Sequence, residues 1–231
     1  MKKELFVTKS NDLIEASYKL SLDEQRLVYM TICQVDPRNQ IPKDNYFEIA
    51  VNDFCEVFGV NPKVGYSQIE NAANEIAERW IKMTDGKERS KLRWVFGVKY
   101  HEGKGYVSLG ISPPIIPYLT NLKKKFTSIK ISQIANLKSV YSIRLLEFIM
   151  QFKSTGQFII SLDVFMDRLG IKSAYKRFVD LKRRVIEPSI RELSKKSEIH
   201  IEWKPLKNGK GRAVTHLEFI INKNHERTAD K

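Results

Sequence analysis

Residues 47–60 read Phe47-Glu-Ile-Ala-Val-Asn-Asp-Phe-Cys-Glu-Val-Phe-Gly-Val60, and residues 158–171 read Phe158-Ile-Ile-Ser-Leu-Asp-Val-Phe-Met-Asp-Arg-Leu-Gly-Ile171. The two align without a gap at an offset of 111. Phe47/Phe158, Ile49/Ile160, Val51/Leu162, Phe54/Phe165, Phe58/Leu169, Gly59/Gly170 and Val60/Ile171 agree in character. Each copy opens as a short strand and continues as a two-turn helix with apolar residues three and four apart. A Gly then ends the helix, where the chain must adopt positive φ.

The likeness extends on both sides. In each copy a Tyr opens a longer helix, Tyr66 to Trp80 and Tyr175 to about Lys195. A β-hairpin follows each: Leu92 to Ile111 turning at residues 102–105, and Ile199 to Ile221 turning at residues 208–211. Their strands are rich in Trp, Val, Ile, Tyr and Phe, and their turns carry Gly. A helix also precedes each copy, Leu22–Cys33 with Ser21 as its cap, and Val140–Phe152. Helix, short strand, helix, turn, longer helix and hairpin is the order of a winged helix-turn-helix. The fold class is therefore α+β, with two tandem winged-helix domains. Pro113, Pro114 and Pro117 interrupt regular structure between the copies, which puts the domains at 1–120 and 121–231.

Charge divides along the same line. The chain has 231 residues, 40 Lys+Arg and 27 Asp+Glu, a formal charge of +13. Residues 1–120 carry 16 basic and 16 acidic side chains; residues 121–231 carry 24 and 11. The whole excess lies in the second copy, which points there for a polyanionic partner and leaves the first copy for partner contacts.

Several function classes lack their residues. There is no run of 18 apolar residues for a membrane helix, and the N-terminus does not read as a secretory signal. A basic amphipathic helix with exposed aromatics, as membrane-surface binding needs, is also missing. Cys33 and Cys55 lie in apolar runs and read as buried, reduced thiols. The four His residues form no metal-ligand spacing, and no phosphate-binding Gly loop occurs. No metal, cofactor or catalytic residue is expected, and the chain reads as a non-enzyme.

On a wheel of about 100° per residue, Phe178, Leu181, Val185, Ile186 and Leu193 gather on one side of the second long helix, with Val179 and Ile190 at its margin. The opposite arc carries Lys176, Arg177, Asp180, Arg183, Arg184 and Arg191. A helix-turn-helix lays this helix in the major groove, where an Arg fork can meet guanine O6 and N7 together. Asp180 either accepts from cytosine or orients a neighbouring Arg. The plain alternative is a solvated basic face. Lys182 points toward the apolar side and snorkels. Pro188 cannot donate to the Arg184 carbonyl, so a kink or restart is expected near it.

Lys172 and Ser173 in the turn, and Lys207, Lys210 and Arg212 in the wing, are candidates for phosphate contacts, as are Lys123 to Lys125. His200 and His216 on the wing strands read as structural. The first copy's helix, with Glu70, Glu75 and Glu78, repels phosphates and leaves only Lys63, Ser67 or Gln68 for weak DNA contact. Trp94, Phe96 and Val98 alternate along one strand and read as core, with an exposed dimer surface as the alternative.

Asn11-Asp-Leu-Ile-Glu-Ala-Ser-Tyr-Lys-Leu-Ser-Leu-Asp-Glu-Gln-Arg-Leu27 resembles the opening signature of iteron-binding plasmid replication initiators of the RepB/RepE/π type. Tyr141-Ser-Ile-Arg-Leu-Leu-Glu147, Tyr175-Lys-Arg-Phe-Val-Asp-Leu-Lys-Arg-Arg184 and Gly211-Arg-Ala-Val-Thr-His-Leu-Glu-Phe219 are similar to that family's second winged-helix domain. The resemblance implies monomers that bind direct repeats (iterons) at a plasmid origin, help open it and recruit the host initiator and helicase. It implies dimers, joined mainly through the first domain, that bind an inverted repeat at the operator and repress their own gene. It places the protein in the bacterial cytoplasm, with Lys176, Arg177, Asp180, Arg183 and Arg184 in the recognition helix. A winged-helix transcriptional regulator without initiator activity is the alternative.

Overall fold

The computed structural model describes residues 4–38, 41–197, 199–207 and 213–222. The chain opens with strand β1 (Phe6–Ser10), and Ser10 caps the short helix α1 (Asn11–Glu15) by accepting the Leu13 amide. Helix α2 (Leu22–Ile32) starts at Ser21, as the sequence predicts. Ser21 Oγ accepts the Glu24 amide at 3.3 Å, and a Glu24 carboxylate oxygen accepts the Ser21 amide at 3.0 Å. This reciprocal capping box satisfies two otherwise orphaned donors.

Strand β2 (Tyr46–Ala50) runs directly into helix α3 (Val51–Phe58), which Gly59 closes at φ 62°. The next helix, α4 (Pro62–Ala77), begins four residues before Tyr66. Asn61 caps it and Pro62 supplies a pre-set φ at its first position, a stronger start than the tyrosine. Two strands that the sequence reading missed follow: β3 (Trp80–Asp85) and β4 (Glu88–Arg93), paired antiparallel. Their charge hides the strand pattern, but Ile81 and Met83 are buried on alternate positions. The Asp85-Gly86 step was the usable signal, with Gly86 at φ 56° in the turn.

Strands β5 (Val95–His101) and β6 (Tyr106–Ile111) complete the wing, and the sheet runs β2-β6-β5. A register shift between Val95 and Gly97 breaks the alternation. Trp94 and Val95 are therefore both buried while Phe96 is 51% exposed, so the expected single core face does not form. A 3-10 helix covers the three prolines at Pro113–Tyr118. Strand β7 (Phe126–Lys130) then returns to pair with β1, and helix α5 (Ile131–Ala135) follows.

That pairing moves the domain boundary. The two compact units are Met1–Val140 and Tyr141–Lys231. The expected division at 120 would have cut β7 from its partner strand, and the proline cluster marks a turn inside the first unit.

The second unit repeats the plan. Helix α6 (Val140–Gln151) precedes strand β8 (Gln157–Ser161) and helix α7 (Leu162–Arg168), after which Gly170 takes φ 66°. Helix α8 (Phe178–Leu181), a π-turn (Lys182–Ile186) and helix α9 (Glu187–Lys196) form one helical run. Strands β9 (His200–Lys207) and β10 (Val214–Asn222) join β8 in the order β8-β10-β9, the topology of β2-β6-β5. Phe158, Phe165 and Phe219 stack at the centre, with ring centroids 5.0 and 5.9 Å apart.

One correspondence was not read from the sequence. Arg26 on α2 and Arg144 on α6 are buried in equivalent places, each followed by a Leu. Arg26 lies 5.1 Å from the ring of Phe58, the last residue of α3. Arg144 Nη2 donates at 3.1 Å to the carbonyl of Arg168, the last residue of α7. Each arginine thus ties the leading helix to the end of the first helix-turn-helix element.

Candidate nucleic-acid interface

The helical run after Gly170 starts later than expected. Residues 171–177 form a loop, and Arg177, with φ −113° and ψ 135°, is the N-cap. Tyr175 therefore opens no helix. Its hydroxyl hydrogen-bonds with Tyr141 on α6; burial first, and then this contact, push the Tyr141 hydroxyl's pKa upward. The tyrosine pair fastens the loop to α6 just before the basic face begins.

Lys172, Ser173 and Lys176 are exposed on this loop, Arg177 stands at the cap, and Arg183 and Arg184 project from the π-turn. Arg177 Nε donates to Asp180 Oδ2 at 2.8 Å, and Arg183 Nη2 lies 3.6 Å from Asp180 Oδ1. Asp180 is thus engaged by two guanidiniums, the geometry that the second of the two roles the sequence left open requires. The Arg177 hydrogen bond holds its carboxyl below the ordinary carboxylate range, and Arg183 and Arg184 add to the effect. Arg177 and Arg183 remain 74% and 69% exposed, so a ligand can reach both forks.

Lys182 behaves as expected. Its ammonium sits 5.9 Å from the Trp203 ring centroid and 3.5 Å from a Glu187 carboxylate oxygen. At Pro188 the run restarts. The π-turn precedes it, with the Glu187 amide reaching back to the Lys182 carbonyl, and α9 begins with Pro188 in its first positions.

The π-turn also explains an error in the wheel. A fixed step of about 100° carried across it averages two different phases. Leu181, Val185, Ile186, Ser189 and Leu193 are buried, but Val179 is 56% exposed. Phased on Leu181 and Val185 alone, Val179 falls roughly 140° from the buried centre. It belongs with the arginines.

Lys207 is exposed at the end of β9, on the way into the wing turn; Lys210 and Arg212 lie outside the described residues. Arg191 is exposed on α9. Lys123 to Lys125 belong to the first unit, where the Lys125 carbonyl accepts the Asn11 amide at 2.7 Å. His200 and His216 are exposed on β9 and β10 and form no part of the core. In α4, Gln68 donates to Asp23 at 2.8 Å and Glu75 pairs with Arg79, while Lys63 and Ser67 are exposed. Cys33 is only half-buried, and burial pushes its thiol up to about 12; Cys55 is buried, and both are free thiols. Among the described residues no cluster of three or more His, Cys, Asp or Glu could hold a metal, and no helix is long and apolar enough to cross a membrane.

Paired winged-helix units, the second with an ordered arc of exposed cations on its recognition helix, define a DNA-binding protein of the tandem winged-helix class. Residues 6–150 match the family described as Initiator Replication protein, WH1, and residues 161–221 match Initiator Rep protein, WH2. The chain belongs to this family of plasmid replication initiators, the one its opening stretch resembles. It is similar to the PI protein of Escherichia coli, at 25% identity over 257 residues covering 96% of this chain and 84% of that protein. An uncharacterized 27.6 kDa protein of Escherichia coli is 22% identical over 91% of this chain and 93% of its own length. The crystal structure of the Pi initiator protein in complex with iteron DNA superposes with a TM-score of 0.81 at 23% identity, covering 97% of this chain and 100% of that one. That likeness carries the fold.

Proposed function

We propose that this chain is a non-enzymatic initiator that binds the direct repeats of a plasmid origin through α8 and the π-turn. It acts in the bacterial cytoplasm, helps open the origin and recruits the host initiator and helicase. As a dimer joined through the first unit it binds an inverted repeat and represses its own gene. The observation that carries this reading is the pair of exposed forks, Arg177 and Arg183, held by one carboxylate at the start of a recognition helix. Two arginines in fixed orientation suit guanine edges in the major groove. The iteron DNA in the similar Pi initiator structure supports the same ligand.

Footprinting on the DNA that flanks the gene tests the reading. Protected tandem repeats, with affinity that falls steeply as salt rises, are the expected result. Their absence would overturn it. Arg183→Ala should cost about 1–3 kcal/mol and relax preference at one base pair; an equal loss on every sequence would make Arg183 a phosphate clamp.

A further inference from the structure

We propose that Val179 reads a thymine through its 5-methyl group. The inference rests on the major-groove docking argued above and adds an apolar contact to a face otherwise described by charge.

Val179 is 56% exposed, although it lies in the first turn of a recognition helix whose other large apolar residues are half-buried or buried. A solvated helix face favours straight-chain or polar residues. Valine there gives up both helix propensity and apolar burial. Its neighbours set the context. Arg183 follows one turn later on the same side, and Arg177 stands two residues before. Asp180 binds both guanidiniums, so the valine methyls lie in a frame whose charged members are fixed. Phe178 is turned away, its ring 6.4 Å from Trp203.

The major groove offers one prominent apolar group, the thymine methyl. A β-branched side chain is stiff at χ1, so little rotamer freedom is lost when it meets that methyl. Arginines that select guanine next to a valine that selects thymine give a mixed code that a purely basic face does not have.

The experiment uses the full chain and a selection from a random duplex pool. The preferred site is rebuilt with each thymine singly replaced by deoxyuridine, which lacks only the methyl. Wild-type protein should lose on the order of fourfold in affinity at one thymine, the scale of one buried methyl. Val179→Ala should show no further loss at that base and keep its guanine preferences. Ile159→Ala, a control 59% exposed on β8, should keep the wild-type sensitivity. Val179→Thr, which retains one methyl, should fall between. Thermal unfolding should be unchanged in all of these variants.

The inference fails if no deoxyuridine substitution weakens wild-type binding, or if Val179→Ala stays equally sensitive. A pool that yields no preferred site overturns the sequence-specific reading itself, and this inference with it.

Discussion

Arg177 donates from Nε to Asp180 Oδ2 at 2.8 Å, three residues apart across the first turn of α8. The contact brings an anion into a face of exposed cations. Its value is orientation, because it fixes a planar fork that would otherwise sample many rotamers.

Asp180→Asn separates orientation from charge. The variant loses one negative charge and weakens the anchor. Binding to scrambled duplex should strengthen and its salt dependence steepen, while preference for the selected site falls. Competition titrations at several salt concentrations read both effects. A variant that keeps full site preference would show that the anchor is dispensable.

The same carboxyl sets a pH expectation. Its folded value is depressed, so the ion pair is fully present above the ordinary carboxylate value of about 3.9 and is lost as pH falls through the lower folded value. Site preference should therefore be flat from about pH 8 to about pH 5 as far as this group is concerned. Anisotropy titrations across that range, with Asp180→Asn as reference, make the comparison.

Arg144 and Glu147 form a buried ion pair, 4% and 1% exposed. Arg144→Met removes one member of this buried pair and should destabilise the second unit by about 3–5 kcal/mol. Glu147→Gln, which keeps an acceptor, should cost less. Amide exchange in peptides from α6 and α7 should accelerate in the first variant well before peptides from the first unit respond.

In the first unit, Ser21→Ala should cost about 1 kcal/mol, the usual value of a lost N-cap. Glu24→Ala should cost more, because Glu24 also accepts from Arg79 Nη2 at 2.9 Å. Urea unfolding midpoints rank the two, and the reverse order would mean the Arg79 contact adds nothing.

Gly65 lets α4 approach α3 closely. A Cβ there would lie 2.3 Å from Cys55 Sγ and 3.1 Å from Val51 Cγ1. Gly65→Ala should destabilise by about 1–3 kcal/mol through overpacking. Adding Cys55→Ala should recover part of the loss, since it removes the nearest atom.

Much of this architecture was legible because physics repeats itself in the sequence. Gly59 and Gly170 mark the same left-handed position, and Ser21 with Glu24 announces a helix start. What escaped was non-local or out of phase. Pairing of β1 with β7 joins segments more than a hundred residues apart, with no local trace in Phe6–Ser10. The β3–β4 pair is too charged for a hydrophobic pattern. Asp180 sits beside Arg177 and Arg183, but which of its possible partners it meets depends on rotamers that the sequence does not record. Val179 was misplaced because the wheel assumed one helical period.

The π-turn at Lys182–Ile186 has a consequence for how such a protein can change. It is one residue of slack between two anchored segments. Leu193 and Ser189 hold α9 in the domain, and Leu181 holds the segment before the turn. A π-turn takes up an extra residue within one helical turn, so both flanks keep the phase their buried contacts require. Removing one residue from it would restore a regular α-helix with both flanks still seated. The exposed arc can thus gain or lose a side chain without unseating the core, a tolerance that a regular helix does not have.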